Sequence, residues 1–463
     1  MENKLEKKYG LFTAICMVIG IVIGSGIFFK AQDILIDTGG NLLYGILAWV
    51  IGGIVMIICA LTFAKFASKY EKVNGIVDYA EAIVGKKYGY FVGWFVSVIY
   101  FPAMTSVLAW VSARYTLVLF GSNDITGGLC MTLAGLYLIL AYSLNSLSPK
   151  LAGKFHVSST IIKLIPIITM VLVGTIVGLV NGNLVESFAQ DPLSKVGGDS
   201  IFSGIVAASF AYEGCIIATS INAEIKDAKR NLPKALIFGT LIIMIVYVTY
   251  FIALSGGASV ETLANEGATK AFSNLFGNIG GTILNAFIVI SCLGTLNGLM
   301  LATTRGLYSL AIRDKGPKPE VLSQVDKTTN MPTNSGIVAV LLCSFWLFHF
   351  YGANLASFPI FGYFNFDSSE LPIVTTYAIY IPIFIMYIVK EIKNKNIKGM
   401  ILPTFACICS LFMVFAAIYS HGIVPFLEGR KNGVFNFPIL FYLILFTVIM
   451  VIGLLFNNKK KEN

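Results

Sequence analysis

Apolar residues form long runs along this chain, and polar residues are concentrated in the short stretches between them. A helix needs about 20 apolar residues to cross a membrane. Runs of this kind predict spans near residues 11–30, 42–64, 88–120, 128–146, 156–180, 200–222, 235–255, 276–311, 335–351, 369–389, 399–420 and 436–456. The pattern therefore predicts an all-α integral membrane protein with 12 transmembrane helices.

The first span is interrupted near its centre. It contains GIVIGSGIFFK at residues 20–30, where Gly24, Ser25 and Gly26 separate two apolar segments. Glycine costs about 1 kcal/mol relative to alanine in a helix interior, and a serine hydroxyl competes for backbone groups. A break here would expose backbone N–H groups and the positive end of a half-helix dipole, which can hold a carboxylate. Close helix packing is the alternative interpretation of small residues in a membrane helix.

The sixth span carries a second interruption, at Tyr212, Glu213 and Gly214. An ionisable group at membrane depth is expensive and is by default a functional hypothesis. Five spans separate the two interruptions, which is the offset expected of two five-helix repeats with inverted topology and paired broken helices. Carbonyl groups freed in the sixth span can accept from an ammonium group. We therefore predict a pocket for a free amino acid.

Composition and charge agree with a polytopic membrane protein. Hydrophobic residues make up 56% of the 463 positions and charged residues 12%, whereas about a quarter of a soluble domain is charged. If both termini are cytoplasmic, the inner segments hold most of the 33 lysine and arginine residues, and the outer segments hold only Lys30, Lys195, Lys270, Arg430 and Lys431. Positive residues favour the inner side, so we predict a multi-pass protein of the cytoplasmic membrane with both termini inside. The net charge of +9 is then explained by the anionic inner leaflet and requires no nucleic acid.

Four segments narrow the class further. They are IGSGIF at 23–28, FAYEG at 210–214, AEIKDAKRNLPKAL at 223–236 and NGLMLATTRGLYSLAIRDKGPKP at 297–319. In this order they resemble the amino acid-polyamine-organocation (APC) superfamily, and within it the L-type amino acid transporter-like bacterial permeases. The resemblance implies the LeuT-like APC fold, a 5+5 inverted repeat with broken helices 1 and 6. We predict a first repeat at 1–190 (spans 1–5), a second at 191–390 (spans 6–10), and two additional helices with a short basic tail at 391–463.

The resemblance also implies roles for individual residues. In related permeases the first break holds the substrate carboxylate, which corresponds here to Ile23, Gly24, Ser25, Gly26 and Ile27. The interrupted part of span six receives the amino group, which corresponds to Phe210, Ala211, Tyr212, Glu213 and Gly214. Phe210 would be the aromatic lid that closes over the substrate.

Two further positions are candidates for coupling and gating. Lys163 lies about ten residues into span five, between isoleucine and leucine. In sodium-independent relatives a lysine at this place occupies the position where sodium-coupled relatives bind an ion, so the resemblance implies a coupling role for Lys163, with Glu213 as a second coupling candidate. A lysine that only snorkels toward an interface is the alternative. Glu224, after span six, belongs either to an inner gate or to a solvated helix end.

Together these features predict a secondary active transporter that moves L-amino acids by alternating access, without sodium, as a proton symporter or an exchanger. We expect a neutral substrate, because Glu213 is the one acid clearly placed to face the pocket and Lys163 could compensate its charge. A cationic amino acid or polyamine antiporter is the alternative, and a non-transporting amino acid receptor of the same fold is a third. We expect no enzyme activity, cofactor, metal or accessory subunit; the predicted partners are the substrate and the lipid bilayer.

Overall fold

The computed structural model of the protein describes residues 10–70, 75–122, 124–189, 201–214 and 225–457. Within these ranges nearly all regular secondary structure is helical. The helices are α1 (Leu11–Val22), α2 (Gly26–Asp37), α3 (Leu42–Lys69), α4 (Ile76–Ile83), α5 (Lys86–Phe95), α6 (Phe101–Leu119), α7 (Gly128–Leu147), α8 (Pro149–Ile162), α9 (Leu164–Val180), α10 (Asn183–Ala189), α11 (Ile201–Ala211), α12 (Ala228–Gly257), α13 (Val260–Glu266), α14 (Ala268–Ala311), α15 (Pro319–Leu322), α16 (Thr333–Phe350), α17 (Leu371–Lys393), α18 (Ile397–Ile418), α19 (Val424–Lys431) and α20 (Pro438–Leu455). Three π-helical turns occur at Val96–Tyr100, Tyr351–Leu355 and Tyr419–Ile423.

The described helices account for most of the predicted membrane spans. Ten helical segments are long and apolar enough to cross a membrane, and the pair α1 and α2, bent by 53°, makes up to 11. Predicted span six corresponds to α11, whose described course ends at Ala211, followed by a turn. With α11 counted as span six, the described helices are consistent with 12 spans. Residues 215–224, which belong to predicted span six and the segment after it, lie outside the described ranges. The all-α membrane fold class and the broken first span are confirmed.

Several helices extend beyond the apolar runs that predict them. The apolar run of the first span ends near residue 30, but α2 continues to Asp37. The run of the fifth begins near residue 156, but α8 begins at Pro149, where proline is favoured because the first helical N–H has no intrahelical partner. Backbone hydrogen bonding continues through polar residues at a helix end, whereas a hydropathy window stops at them. Lys163 separates α8 from α9, and Pro166, in the first turn of α9, has no N–H to donate back to α8 while its ring crowds the preceding turn.

The described chain forms two compact units. The first contains Met1–Gly89, Ile165–Leu284 and Ile373–Ser420. In this unit α3 packs against α12, α11 and α18, while α1 packs against α12 and α2 against α11. The start of α3 is capped by Asn41, whose side chain accepts a hydrogen bond from the N–H of Tyr44 at 3.0 Å. This unit contains both predicted interruptions.

The second unit contains Tyr90–Leu164, Asn285–Pro372 and His421–Asn463. Here α6 packs against α7 and α16, and α7 packs against α8. Buried amides join these helices, since Asn145 donates to the side-chain oxygen of Asn297 at 2.9 Å and Asn297 donates to the carbonyl of Ala152 at 3.1 Å. The division into repeats at residues 190 and 390 stays a prediction.

Candidate functional site

The break in the first span lies between α1 and α2. The N–H of Ile23 still donates to the carbonyl of Ile19 at 2.9 Å, but the ψ angle of Ile23, 107°, takes the chain out of the helix. Gly24 and Ser25 form the bend, and α2 starts at Gly26. The first N–H groups of a helix have no partner within it, and they form the positive end of its dipole. All five predicted carboxylate-site residues, 23–27, are buried at this point.

Ser25 is the residue of the break with the clearest chemical signal. It is 1% exposed, and its hydroxyl oxygen has no hydrogen-bond partner among the described residues. The side chain does not cap α2, although it stands at the N-cap position. Leaving a buried hydroxyl unsatisfied costs about 1–3 kcal/mol, and such groups in a native protein require an explanation. The position suits an oxygen that is negatively charged and can accept a hydrogen bond.

The end of α11 contacts both halves of the broken first span. A Cβ atom on Gly26 would lie 2.8 Å from the Cα atom of Ala211, so the start of α2 approaches α11 as closely as glycine allows. Gly214 has a φ angle of 106°, and a Cβ atom there would lie 3.3 Å from the carbonyl oxygen of Ile21 near the end of α1. Glycine favours this left-handed backbone. The two predicted segments, 23–27 and 210–214, are therefore brought together.

Tyr247 of α12 joins the ends of α1 and α11. Its hydroxyl lies 3.2 Å from the carbonyl oxygen of Val22, the last residue of α1, and 3.0 Å from that of Ala211, the last residue of α11. The side chain is fully buried. Sequence reasoning missed this residue because a tyrosine within an apolar run carries no signal of what its hydroxyl contacts. Tyr247 holds two helix C-termini, each with a partial negative charge, near each other.

An aromatic cluster fixes this arrangement from the side of α3. The ring of Trp49 makes edge contacts with the rings of Tyr212 and Tyr247, at centroid distances of 5.6 Å and 5.2 Å. Tyr212 also donates its hydroxyl to the carbonyl of Trp49 at 2.8 Å. Tyr212, a predicted substrate contact, is 2% exposed. Its side chain is therefore buried and bound to α3 through the hydrogen bond to Trp49.

Phe210, the predicted lid, lies at the end of α11 against α2. Its Cδ1 atom is 3.4 Å from the position of a Cβ atom on Gly26, and the residue is 8% exposed. The Phe210 ring makes an edge contact with Phe29, at a centroid distance of 5.1 Å. The aromatic side chain therefore lies beside the start of α2 and shields it.

Glu213 lines a small cleft in the same unit. Met56, Cys59, Tyr377 and Tyr380 also line this cleft. Glu213 is only partly exposed, so its carboxyl group faces an environment in which a charge requires compensation.

The two remaining predicted residues have different outcomes. Lys163 belongs to the second unit, where it follows the last residue of α8 and is 4% exposed. Its N–H donates to the carbonyl of Ser159 at 3.0 Å. Glu224 lies outside the described residues. Within the described ranges, no group of three or more His, Cys, Asp or Glu residues is arranged to hold a metal ion.

A multi-span membrane protein in which a span broken at its centre meets the end of a second apolar helix has the arrangement found in broken-helix transporters. Sequence comparison is more specific. The sequence profile of the amino acid permease family matches residues 9–451, so the chain belongs to this family. It is an amino acid transporter and not an enzyme.

Individual relatives have different named substrates. The serine/threonine exchanger SteT of Bacillus subtilis is 30% identical over 334 residues, which cover 72% of this chain and 74% of the relative. The cystine/glutamate transporter of Homo sapiens is 25% identical over 435 residues, covering 92% and 82%. The aspartate-proton symporter of Bacillus subtilis is 26% identical over 371 residues, covering 75% and 68%.

A solved structure supports the fold. The crystal structure of MhsT in complex with L-phenylalanine is similar with a TM-score of 0.59, at 13% sequence identity, over 89% of this chain and 99% of that one. The predicted LeuT-like fold is therefore confirmed.

Proposed function

We propose that this amino acid transporter is sodium-independent and moves neutral L-α-amino acids, either by proton symport or by exchange. The substrate carboxylate would lie at the start of α2, where Ser25 donates its hydroxyl and Gly26 and Ile27 supply N–H groups. The observation that supports this most is the Ser25 hydroxyl, which is 1% exposed and has no hydrogen-bond partner in the described part of the chain. A carboxylate oxygen is an acceptor that this hydroxyl could use.

The amino group of the substrate would lie at the end of α11. The carbonyl groups of Val22 and Ala211 carry the negative ends of two helix dipoles. The Tyr247 hydroxyl lies within hydrogen-bond distance of both and has one hydrogen to donate to them. A carbonyl oxygen has two lone pairs, so both carbonyls can also accept from an ammonium group. Phe210 would cover the bound substrate and exclude water while the site is closed. Its buried position beside Gly26 supports this role.

Lys163 would take the place of a coupling ion. It is 4% exposed at the joint between α8 and α9, a position where its ammonium group could stand in for a bound cation. Proton symport and exchange both have precedent among the relatives, since one is named an aspartate-proton symporter and another a serine/threonine exchanger. No cofactor beyond a coupled proton would be required.

The protein would lie in the cytoplasmic membrane with both termini inside. This orientation is supported by the excess of lysine and arginine in alternate loops of the sequence. We further propose that the chain works without an accessory subunit.

The cleft beside Glu213 favours one alternative substrate class. A carboxyl group that lines a cleft with Tyr377 and Tyr380 could pair with the amine of a cationic amino acid or a polyamine. In that case the carboxyl group would be ionised and would contribute to recognition. In the neutral case it would be protonated, or compensated by another charge.

Uptake into proteoliposomes tests the proposal. Purified protein would be assayed with radiolabelled neutral, acidic and cationic amino acids and polyamines. Each assay would be run with and without a proton gradient, sodium, and amino acid inside the vesicles. We expect uptake of neutral amino acids that is unaffected by sodium. Uptake into empty vesicles that follows the proton gradient would establish symport, and uptake only into preloaded vesicles would establish exchange.

Three outcomes would contradict the proposal. A requirement for sodium would remove the proposed role of Lys163. Uptake confined to cationic amino acids or polyamines would transfer Glu213 to substrate recognition. Saturable binding without flux would indicate a receptor of the same fold.

A further inference from the structure

Lys30 lies inside α2, one turn after Gly26, and it is 2% exposed. Lysine is almost never buried to this extent unless it is paired. Here its ammonium group forms an ion pair with Asp33, at 3.1 Å, and the Asp33 side chain is 37% exposed. The carboxylate thus compensates the charge from a partly exposed position, while the lysine itself is buried.

Two aromatic rings meet the Lys30 ammonium group in that interior. Its nitrogen lies 5.4 Å from the ring centroid of Phe29 and 5.5 Å from that of Phe210. The two rings also contact each other edge to face. Both distances are within the range of about 6 Å in which a cation is attracted by the face of an aromatic ring. Lys30 therefore contacts the side chain that we assign as the lid.

The Phe210 ring is held at two places on the same helix. One edge lies next to Gly26, 3.4 Å from where a Cβ atom would be, and its face is near Lys30, about one turn farther along α2. We propose that Lys30 is a positioning residue that holds the Phe210 ring over the start of α2 through this cation–π contact. The inference rests on the proposed function of Phe210 as the lid of the substrate site.

The consequence is that α2 both binds the substrate and positions the lid. Ser25 stands at the N-cap of the helix that carries Lys30 in its second turn. A helical turn is rigid, so the ammonium group has a fixed place relative to the carboxylate site. Neutralising Lys30 should release the ring without changing the carboxylate site itself.

The proposed role of Lys30 can be tested by measuring the chemical accessibility of position 25, in an assay that contains no substrate. A Ser25→Cys variant would be treated with N-ethylmaleimide, a small neutral probe, and the rate of modification would be compared in chains with Lys30, Lys30→Met, Lys30→Gln and Lys30→Arg. The parent chain without Ser25→Cys measures the reaction of native thiols such as Cys16, which is exposed. Gel filtration would confirm that each variant is folded.

We expect Lys30→Met and Lys30→Gln to raise the rate by about 2- to 30-fold, which corresponds to a cation–π contact of about 0.5 to 2 kcal/mol. Lys30→Arg should keep the rate near that of Lys30. A matched control is Lys270→Met, which removes an exposed lysine paired with Glu266 at 3.3 Å and should not change the rate.

A Phe210→Leu background separates the possible failures. This variant should raise the rate by itself, and adding Lys30→Met should then have no further effect. If Phe210→Leu raises the rate but Lys30→Met does not, the inference about Lys30 is wrong and the lid remains. If Phe210→Leu leaves the rate unchanged, the proposed lid is wrong. An equal effect of Lys30→Met in both backgrounds would indicate general loosening of α2 and would also overturn the inference.

Discussion

Replacement of Ser25 by alanine tests the carboxylate site most directly. The hydroxyl is buried and has no hydrogen-bond partner among the described residues, so the change breaks no hydrogen bond that is seen in the folded protein. A hydrogen bond to a charged group contributes about 1.5–3 kcal/mol, which corresponds to roughly 10- to 150-fold in affinity. We expect the dissociation constant of the substrate to rise by this factor, while the free energy of unfolding without substrate stays the same or increases slightly.

The assay combines equilibrium binding and denaturation on purified protein, with the best substrate of the uptake panel as ligand. A second ligand, the amide of the same amino acid, lacks the carboxylate and should lose much less affinity when Ser25 is replaced. Ser146→Ala is a matched control. Ser146 is also buried, its hydroxyl has no partner within the described residues, and it lies near the end of α7. It should leave the dissociation constant unchanged and affect the free energy of unfolding in the same way as Ser25→Ala.

Three results would refute this reasoning. A dissociation constant within about twofold of the parent value would show that the hydroxyl does not contact the substrate, since even the smallest hydrogen bond to a charge is worth more than that. Equal losses for the amino acid and its amide would show that the effect does not involve the carboxylate. A matching loss of stability without ligand would assign Ser25 to the fold.

Four other substitutions test other parts of the structure. Gly26→Ala should abolish uptake without preventing folding, because the added Cβ would lie 2.8 Å from the Cα of Ala211. This distance is about 1 Å shorter than an ordinary carbon contact. An uptake assay measures the activity, and gel filtration shows whether the variant is folded. Tyr247→Phe should lower the free energy of unfolding by about 1–3 kcal/mol, since it removes the hydroxyl hydrogen bond at the ends of α1 and α11; denaturation measures this change. Glu213→Gln should preserve uptake of neutral amino acids in vesicles, and selective loss of cationic uptake would favour the alternative substrate class. Asn396→Ala should cost about 1 kcal/mol of stability in the same denaturation assay, because Asn396 caps the start of α18.

The broken first span could be predicted because its residues conflict with their surroundings. Glycine and serine in the middle of an apolar run weaken a helix locally, and this conflict is visible within ten residues of sequence. The structure places the break at Ile23 to Ser25, as the sequence predicts. The same reasoning predicts the turn at Tyr212 to Gly214, which follows the end of α11.

The residues that contact these two breaks from other helices could not be predicted in the same way. Tyr247 contacts Val22 across more than two hundred positions, and Trp49 contacts Tyr212 from another helix. Such contacts depend on how α3 and α12 pack against the broken helices, and a single sequence contains no record of this packing. A tyrosine that lines a lipid-facing surface and one that joins two helix ends have the same hydropathy.

For Lys30, the local sequence pattern predicts the wrong environment. In the sequence it ends an apolar run, so the pattern assigns it to the basic residues of the outer segments. In the structure α2 continues through it to Asp37, and Asp33, one turn later, compensates its charge. Burial of the ammonium group is then stabilised further by the rings of Phe29 and Phe210. Because Phe210 belongs to a helix that is far from Lys30 in the sequence, no sequence window contains both the charge and the ring that contacts it. A residue that hydropathy assigns to membrane topology therefore has, in the folded protein, a position from which it can act on the substrate site.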